Sequence, residues 1–421
     1  GDVYKRQERY FAWQIVAAEM HRGGDVRHWR RESPVQNMGL FLRFERHGVS
    51  VGAALLGQTR YSILASMKQP LRRTTMAYYV GLDVSVKETS ICILDDKGCV
   101  VARTDVSTDP DLIARFIFKH APDVERVVHE SGILAIWLTR ELEKRGLPII
   151  CIDARLTHKA LSGRINKSDQ GDAEGLAQLA RTGWFTQVHI RSEASERVRV
   201  LIGARERLIR MRKDLEGHVR GVLKVFGVCM KSVGTGKLRK DFRDQLAAVA
   251  DTDPAIELMA EMFIPLHKTL CIARDALDDE VRIMARDSDL ARRLMTVPGV
   301  GPIVALAYIA TLDDEKRFRR SIDVGAFLGL TPKRHQSGEV DWSGKISKCG
   351  DCDMRRLLYT AASTLISCTR KPSRLKEWAT RLAERKGHKK AAVAASRKMA
   401  VIMHSVWRDG TVFEPGMEGA S

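Results

Sequence analysis

Across 421 residues, 70 Lys and Arg against 52 Asp and Glu leave a formal charge of +18, with 29% of residues charged and few aromatics. So basic a chain points to a polyanionic partner, nucleic acid first and an acidic membrane surface second. No apolar run approaches the roughly 20 residues of a membrane span and no secretory signal is evident. The eight cysteines form no disulfide framework, as in a reducing cytoplasm, and Cys349 and Cys352 make a single Cys-x-x-Cys pair without the second pair that zinc would require.

Residues 1–75 lack sustained periodicity and open on Gly1, so they read as a non-native or disordered extension, with Met76 the expected start. They hold 13 basic and 6 acidic residues, and the remaining 57 against 46 still leave +11. From Met76 the pattern alternates strands and helices. Tyr78 to Asp83 and Ser90 to Leu94 are predicted strands, with Val80, Leu82, Ile91 and Ile93 at alternate positions. Asp95-Asp96-Lys97-Gly98 turns into a third strand, Cys99 to Val106. Asp109 and Pro110 open a helix with Leu112, Ile113, Phe116 and Ile117 on one face. A strand from Arg126 to Glu130, a helix around Trp137 and Leu138, and a fifth strand from Pro148 to Asp153 follow. Next come a helix with Leu156 and Lys159, the loop Gly163 to Lys167, and a helix capped by Ser168 and running from Asp169 to Gly183. The order β-β-β-α-β-α-β-α implies an α/β mixed sheet over residues 76–190, the order of the ribonuclease H-like fold.

Residues 191–290 read as a helical linker or coiled coil. Val198, Leu201, Ile202, Leu208, Ile209, Leu215, Val219, Val222 and Phe226 make one apolar stripe on a helix of roughly 35 residues. Its arginines leave two readings open, a solvated hairpin or an arm that pairs protomers and touches phosphates. Gly234 to Lys240 is a basic break, and Pro265 is expected to interrupt the return helices. Residues 291–421 read as a mostly helical domain. Val297-Pro298-Gly299-Val300-Gly301-Pro302 has the character of a helix-hairpin-helix turn, whose amides can hold a phosphate. Thr331 to Gly338 reads as a basic loop followed by a glycine-rich connector, then a helix from Asp353 to Cys368. The tail Arg374 to Trp407 is helical and basic enough for phosphate contacts.

Four carboxylates stand out. Asp83 and Glu130 end predicted strands, on the sheet edge where sites of open α/β folds collect. Asp169 and Asp172 are three apart on one helix and share a face; alone they are ordinary acids at a helix N-terminus. Gathered together, the four need a cation, and hard oxygen donors without thiols select Mg²⁺ or Mn²⁺. Such metals stabilise the attacking and leaving oxygens of in-line phosphoryl transfer. Ser337, following Lys333, Arg334 and His335, is by itself a turn residue or a phosphate contact.

Tyr-Val-Gly-Leu-Asp83, Glu130-Ser-Gly and Asn-Lys-Ser-Asp169-Gln-Gly-Asp172-Ala resemble the three blocks of DEDD-type insertion-sequence transposases, relatives of the Piv/MooV invertases with a RuvC-like amino-terminal domain. Val-Pro-Gly-Val-Gly-Pro302, Phe-Leu-Gly-Leu-Thr-Pro332, His-Gln-Ser337-Gly and Gly344-Lys-Ile-Ser-Lys-Cys-Gly350, with Arg355 beyond, match that family's carboxyl-terminal half. The resemblance spans roughly residues 78–410. It implies a cytoplasmic DNA recombinase in which Asp83, Glu130, Asp169 and Asp172 bind divalent metal and Ser337 attacks DNA. It also implies a homo-oligomer, dimer or tetramer, working with a structured guide RNA on element ends and target DNA. Lys333, Arg334, Lys345, Lys348 and Arg355 are the expected nucleic-acid contacts. A junction endonuclease using only the carboxylates, and a non-catalytic nucleic-acid binder, are the rival readings. Cys349 and Cys352 have no counterpart in the family pattern.

Overall fold

The structure, a computed structural model, describes residues 76–161, 168–231, 239–337 and 340–416. The proposed extension 1–75, the loop Gly163 to Lys167, most of the Gly234 to Lys240 break and Gly338 lie outside them. Apolar alternation along β1 (Tyr78–Val84) sends Val80 and Leu82 to one face and Tyr79 and Gly81 to the other. β2 (Glu88–Leu94) and β3 (Val100–Ser107) pair antiparallel beside it, while β4 (Val124–Glu130) and β5 (Ile149–Ile152) run parallel, in the order β3-β2-β1-β4-β5. This is the ribonuclease H-like arrangement expected from the element order.

α1 (Pro110–His120) and α2 (Ala135–Lys144) cover one face, burying Ile113, Ile117, Leu138 and Leu142 against Val80, Leu82, Ile93 and Val127. Each such side chain contributes about 1.5–3 kcal/mol on leaving water. α3 (Ala154–Leu161) leads to α4 (Asp169–Thr182), which seals the other face through Leu176, Leu179, Ala173 and Ala177. The caps follow the sequence. Asp109 accepts from the Asp111 and Leu112 amides, Ser168 accepts from Gly171, and Gly183 closes α4 at φ 69°.

α5 (Glu193–Leu223) and α7 (Pro254–Asp287) form a long antiparallel hairpin, with α6 (Arg239–Ala247) packed at its tip through Phe242 and Leu246. Its seam is more polar than the expected apolar stripe. Glu216 meets His267 at 3.0 Å together with Arg212, and Asp278 meets Arg274 at 2.9 Å together with Arg205. Buried acids that must each find these partners disfavour a slipped register. Pro265 does not interrupt the return helix as expected. Buried Ala260 and Leu270 anchor α7 on either side, so packing carries the helix across the missing N–H.

The carboxyl-terminal core gathers α8 (Asp289–Leu294), α9 (Pro302–Leu312), α10 (Asp323–Phe327), α11 (Cys352–Ser367), α12 (Arg374–Lys386) and α13 (His388–Arg408). Val198 and Ile202 of α5, with Val281 and Ala285 of α7, join it, so the hairpin base is part of this core. The Val297 to Pro302 turn is packed rather than splayed. Val297 is buried, and a Cβ on Gly299 (φ 88°) would meet the Ala361 carbonyl at 2.5 Å. The expected loop from Thr331 and its connector are instead a two-stranded sheet, β6 (Pro332–Ser337) with β7 (Val340–Ile346). Consecutive charges at Lys333, Arg334 and His335 hide its two-residue period. The strands pair through an antiparallel backbone ladder, and the exposed Arg334–Asp341 pair at 2.9 and 2.6 Å bridges them, a partnership that the sequence does not announce. Among the described residues no helix is long and apolar enough to cross a membrane.

Candidate catalytic edge and serine hairpin

Leu82 pairs with His129 across the parallel strands, so Asp83 and Glu130 come next in register, on neighbouring strands about 4.8 Å apart. Alternation places both on the face that carries α4, because Gly81 and Val128, two residues earlier, lie under that helix. Gly81 is what lets the helix come close. A Cβ there would stand 2.1 Å from the Ala173 carbonyl and 2.3 Å from the Ala177 amide. Tyr79 packs with the cluster holding Leu176 and Leu179, so α4 runs antiparallel to β1 and its first turn stands over the strand ends. Asp169 lies four residues before Ala173, and Asp172 four before Leu176, on the surface of α4 that faces the sheet. All four carboxylates therefore share one edge and one face. Asp83, Glu130 and Asp172 are half-buried and Asp169 is exposed.

Neighbouring bonds hold this edge in place. Ser90 donates to Asp105 at 2.6 Å, and Gln170 of α4 donates to the same carboxylate at 3.1 Å; together they hold its pKa below the usual range. Arg103 of β3 pairs with Glu174 of α4. Behind Glu130, His129 is fully buried, with Nε2 2.7 Å from the Thr139 hydroxyl and Nδ1 3.0 Å from the Glu130 carbonyl. Burial pushes its pKa down to about 4, so the ring is neutral at pH 7.

Among the described residues no three His, Cys, Asp or Glu side chains stand close enough to make a ready-formed metal site. The donors at the edge are nevertheless all carboxylate oxygens, half-buried or exposed, which is the donor chemistry of a hard divalent cation. Ser337 ends β6 opposite Val340 of β7, at the tip of the hairpin. Lys333, Lys345 and Lys348 are exposed. Arg334 is engaged by Asp341, and Arg355 is engaged through Nη1 with backbone carbonyls. It donates to the carbonyls of Leu328, Cys349 and Gly350 at 3.2, 2.8 and 3.0 Å. Those bonds clamp a backbone crossing in which a Cβ on Gly329 would meet the Cys349 carbonyl at 2.0 Å and one on Gly350 the Phe327 carbonyl at 2.2 Å. The crossing seats the hairpin on the helical core. Between Arg370 and Lys398, eleven Lys and Arg accompany two Glu, and eight of the eleven are exposed, two just before α12 and six along α12 and the start of α13.

The family described as "Transposase IS116/IS110/IS902 family" matches residues 291–377, and a second family, described as "Transposase", matches residues 80–227. A probable family 20 transposase of Pseudomonas aeruginosa is 28% identical over 344 residues, covering 80% of this chain and 98% of its own. The transposase for insertion sequence element IS1111A of Coxiella burnetii is 27% identical over 357 residues, covering 83% and 94%. A Thermus thermophilus RuvC structure aligns at 12% identity and TM-score 0.21, over 27% of this chain and 100% of its own.

Proposed function

The chain belongs to the IS116/IS110/IS902 family of transposases, and on that premise we propose that it cuts and rejoins the DNA strands of a mobile element through a serine-linked intermediate. The observation that carries this reading is the placement of Asp83, Glu130, Asp169 and Asp172 on one edge and one face, with the helix N-terminus drawn in by Gly81. These four carboxylates would hold Mg²⁺ or Mn²⁺, which when bound supplies charge stabilisation for in-line phosphoryl transfer.

The remaining work falls to the chain's own groups. The Ser337 hydroxyl attacks a DNA phosphorus, losing its proton as the Ser–O–P bond forms. One ester bond of the phosphodiester breaks, and the departing oxygen takes up a proton to leave as a hydroxyl. The phosphoserine keeps the bond energy of the broken ester, so a DNA hydroxyl can reverse the step on a new partner. A water nucleophile would release free ends. Exposed Lys333, Lys345 and Lys348 beside the hairpin, and the basic surface of α12 and α13, supply phosphate contacts whose strength falls with salt. In this reading the protein acts as a homo-oligomer guided by a structured RNA, and it handles element ends and target DNA together. The test is substitution of the edge. Asp83→Asn, Glu130→Gln, Asp169→Asn and Asp172→Asn should each abolish strand joining in Mg²⁺ while binding DNA normally in chelator. Four variants that recombine at wild-type rates would remove the metal assignment.

A further inference from the structure

Asp313 is the C-cap of α9, at φ 68° and ψ −44°, and the Asp314 amide donates across it to the Leu312 carbonyl at 2.9 Å. That is a classic-hand γ-turn, a rare and strained conformation for a residue with a side chain. Glycine would sit there without strain, so what the aspartate adds is its carboxylate. The carboxylate is 6% exposed, and its hydrogen bonds to His189, Ser192 and Ser195 all reach one short segment. The Ser192 amide reaches it at 3.0 and 3.1 Å, the Ser192 hydroxyl at 2.5 Å and His189 Nε2 at 2.6 Å. Burial opposes the charge, but these donors outweigh it and hold the carboxyl down at about 2, so the imidazole nitrogen facing it donates.

The segment it grips is the connector between the sheet and the helical half. On one side the connector is bonded to β5 and the residue after it, where the Val188 amide donates to Cys151 at 2.8 Å and the Asp153 amide to Thr186 at 3.0 Å. Arg140 of α2 also holds the Arg191 carbonyl. On the other side Ser192 caps α5, and α5 is fastened to α11 by Arg199–Asp351 at 2.8 Å and Arg356–Glu206 at 2.9 Å. Val188 is thus tied to the sheet and His189, the next residue, to Asp313. The connector has no slack residue between the two attachments.

We propose that Asp313 is a positioning residue, a lock that fixes the connector to the end of α9 and so sets how the carboxylate edge and the serine hairpin stand relative to each other. The proposal rests on the reading that both sites act on one DNA strand. Its test uses the full chain with spin labels on unnatural amino acids introduced at exposed Lys119 of α1 and exposed Thr360 of α11. Asp313→Gly relieves the turn while removing the carboxylate, and Asp313→Asn keeps the shape and an acceptor without the charge. Pulsed dipolar spectroscopy should give one narrow label distance in the native chain, a broad one in Asp313→Gly and an intermediate width in Asp313→Asn. Strand cleavage by Asp313→Gly should fall between about 10- and 100-fold, the scale of an ångström of misplacement, with DNA affinity in chelator unchanged. A distribution in Asp313→Gly as narrow as the native one, or a broad one with native cleavage, would overturn the lock. A native chain that cleaves no DNA while its label distance broadens on substitution would sink the functional reading and leave the lock standing.

Discussion

Gly81→Ala is the sharpest single-atom test of how the carboxylate edge is built. The added Cβ would lie 2.1 Å from the Ala173 carbonyl, against the 3.4 Å at which ordinary contact begins, a deficit of about 1.3 Å. Both atoms belong to backbone, one in the middle of β1 and the other in α4, so no side chain can rotate away. The helix must retreat by about that distance, and its first turn carries Asp169 and Asp172 with it. Overpacking of this kind costs about 1–3 kcal/mol, and an ångström of misplacement at a reacting centre costs about 100-fold in rate. Urea unfolding of the full chain and strand cleavage in Mn²⁺ should therefore both respond, activity more than stability. Gly203→Ala is the control, because nothing lies within 4 Å of a Cβ at that helical position and the change should be neutral or stabilising. A Gly81→Ala protein with native unfolding midpoint and native cleavage would refute the claim that this glycine sets the helix against the strand.

Other outcomes follow from the same structure. His129 has a folded pKa of about 4 against an ordinary 6.5, so its neutral burial contributes stability that is full above pH 6.5 and lost as pH falls toward 4. The shift is worth about 3 kcal/mol, and His129→Leu should flatten that part of a stability–pH profile measured by urea titration. Chelation should stop strand cleavage but leave DNA affinity in place, which a filter-binding assay with and without Mg²⁺ would check. Replacing Arg381, Arg385, Lys386, Lys389 and Lys390 together by Ala should weaken DNA binding whatever the sequence. It should also reduce the slope of log affinity against log salt by roughly four; an unchanged slope would take α12 and α13 out of the interface.

The sheet module was readable because its signals are local. Val80 and Leu82 alternate, Asp109 and Ser168 precede their helices with capping oxygens, and Gly183 sits where a left-handed residue is needed. What escaped depends on partners distant in sequence. The β6–β7 hairpin is bridged by Arg334 reaching Asp341, and three adjacent charged residues conceal its alternation. Arg355 looks like any exposed arginine until the carbonyls it clamps are brought to it by the crossing of Gly329 and Gly350. The order of Asp83, Glu130, Asp169 and Asp172 along the chain suggested a shared site, but their common face required the register of β1 with β4 and the direction of α4. Gly81 was visible in the motif; the reason for it is a helix ninety residues away. Asp313 carried no sequence signal at all, since an Asp after an apolar helix is an ordinary sight.

The central claim is that Ser337 becomes covalently joined to DNA. Wild-type protein, denatured while acting on a nicked or suicide substrate in Mg²⁺, should carry DNA on a single peptide that contains Ser337, and Ser337→Ala should neither cleave nor join while folding normally. Ser343 and Ser347 follow on β7 and just after it and serve as the internal comparison. An adduct on either one would move the nucleophile. A Ser337→Ala protein that cuts at the wild-type rate, with no adduct on any peptide, would contradict the serine mechanism and favour an endonuclease that uses the carboxylate edge alone.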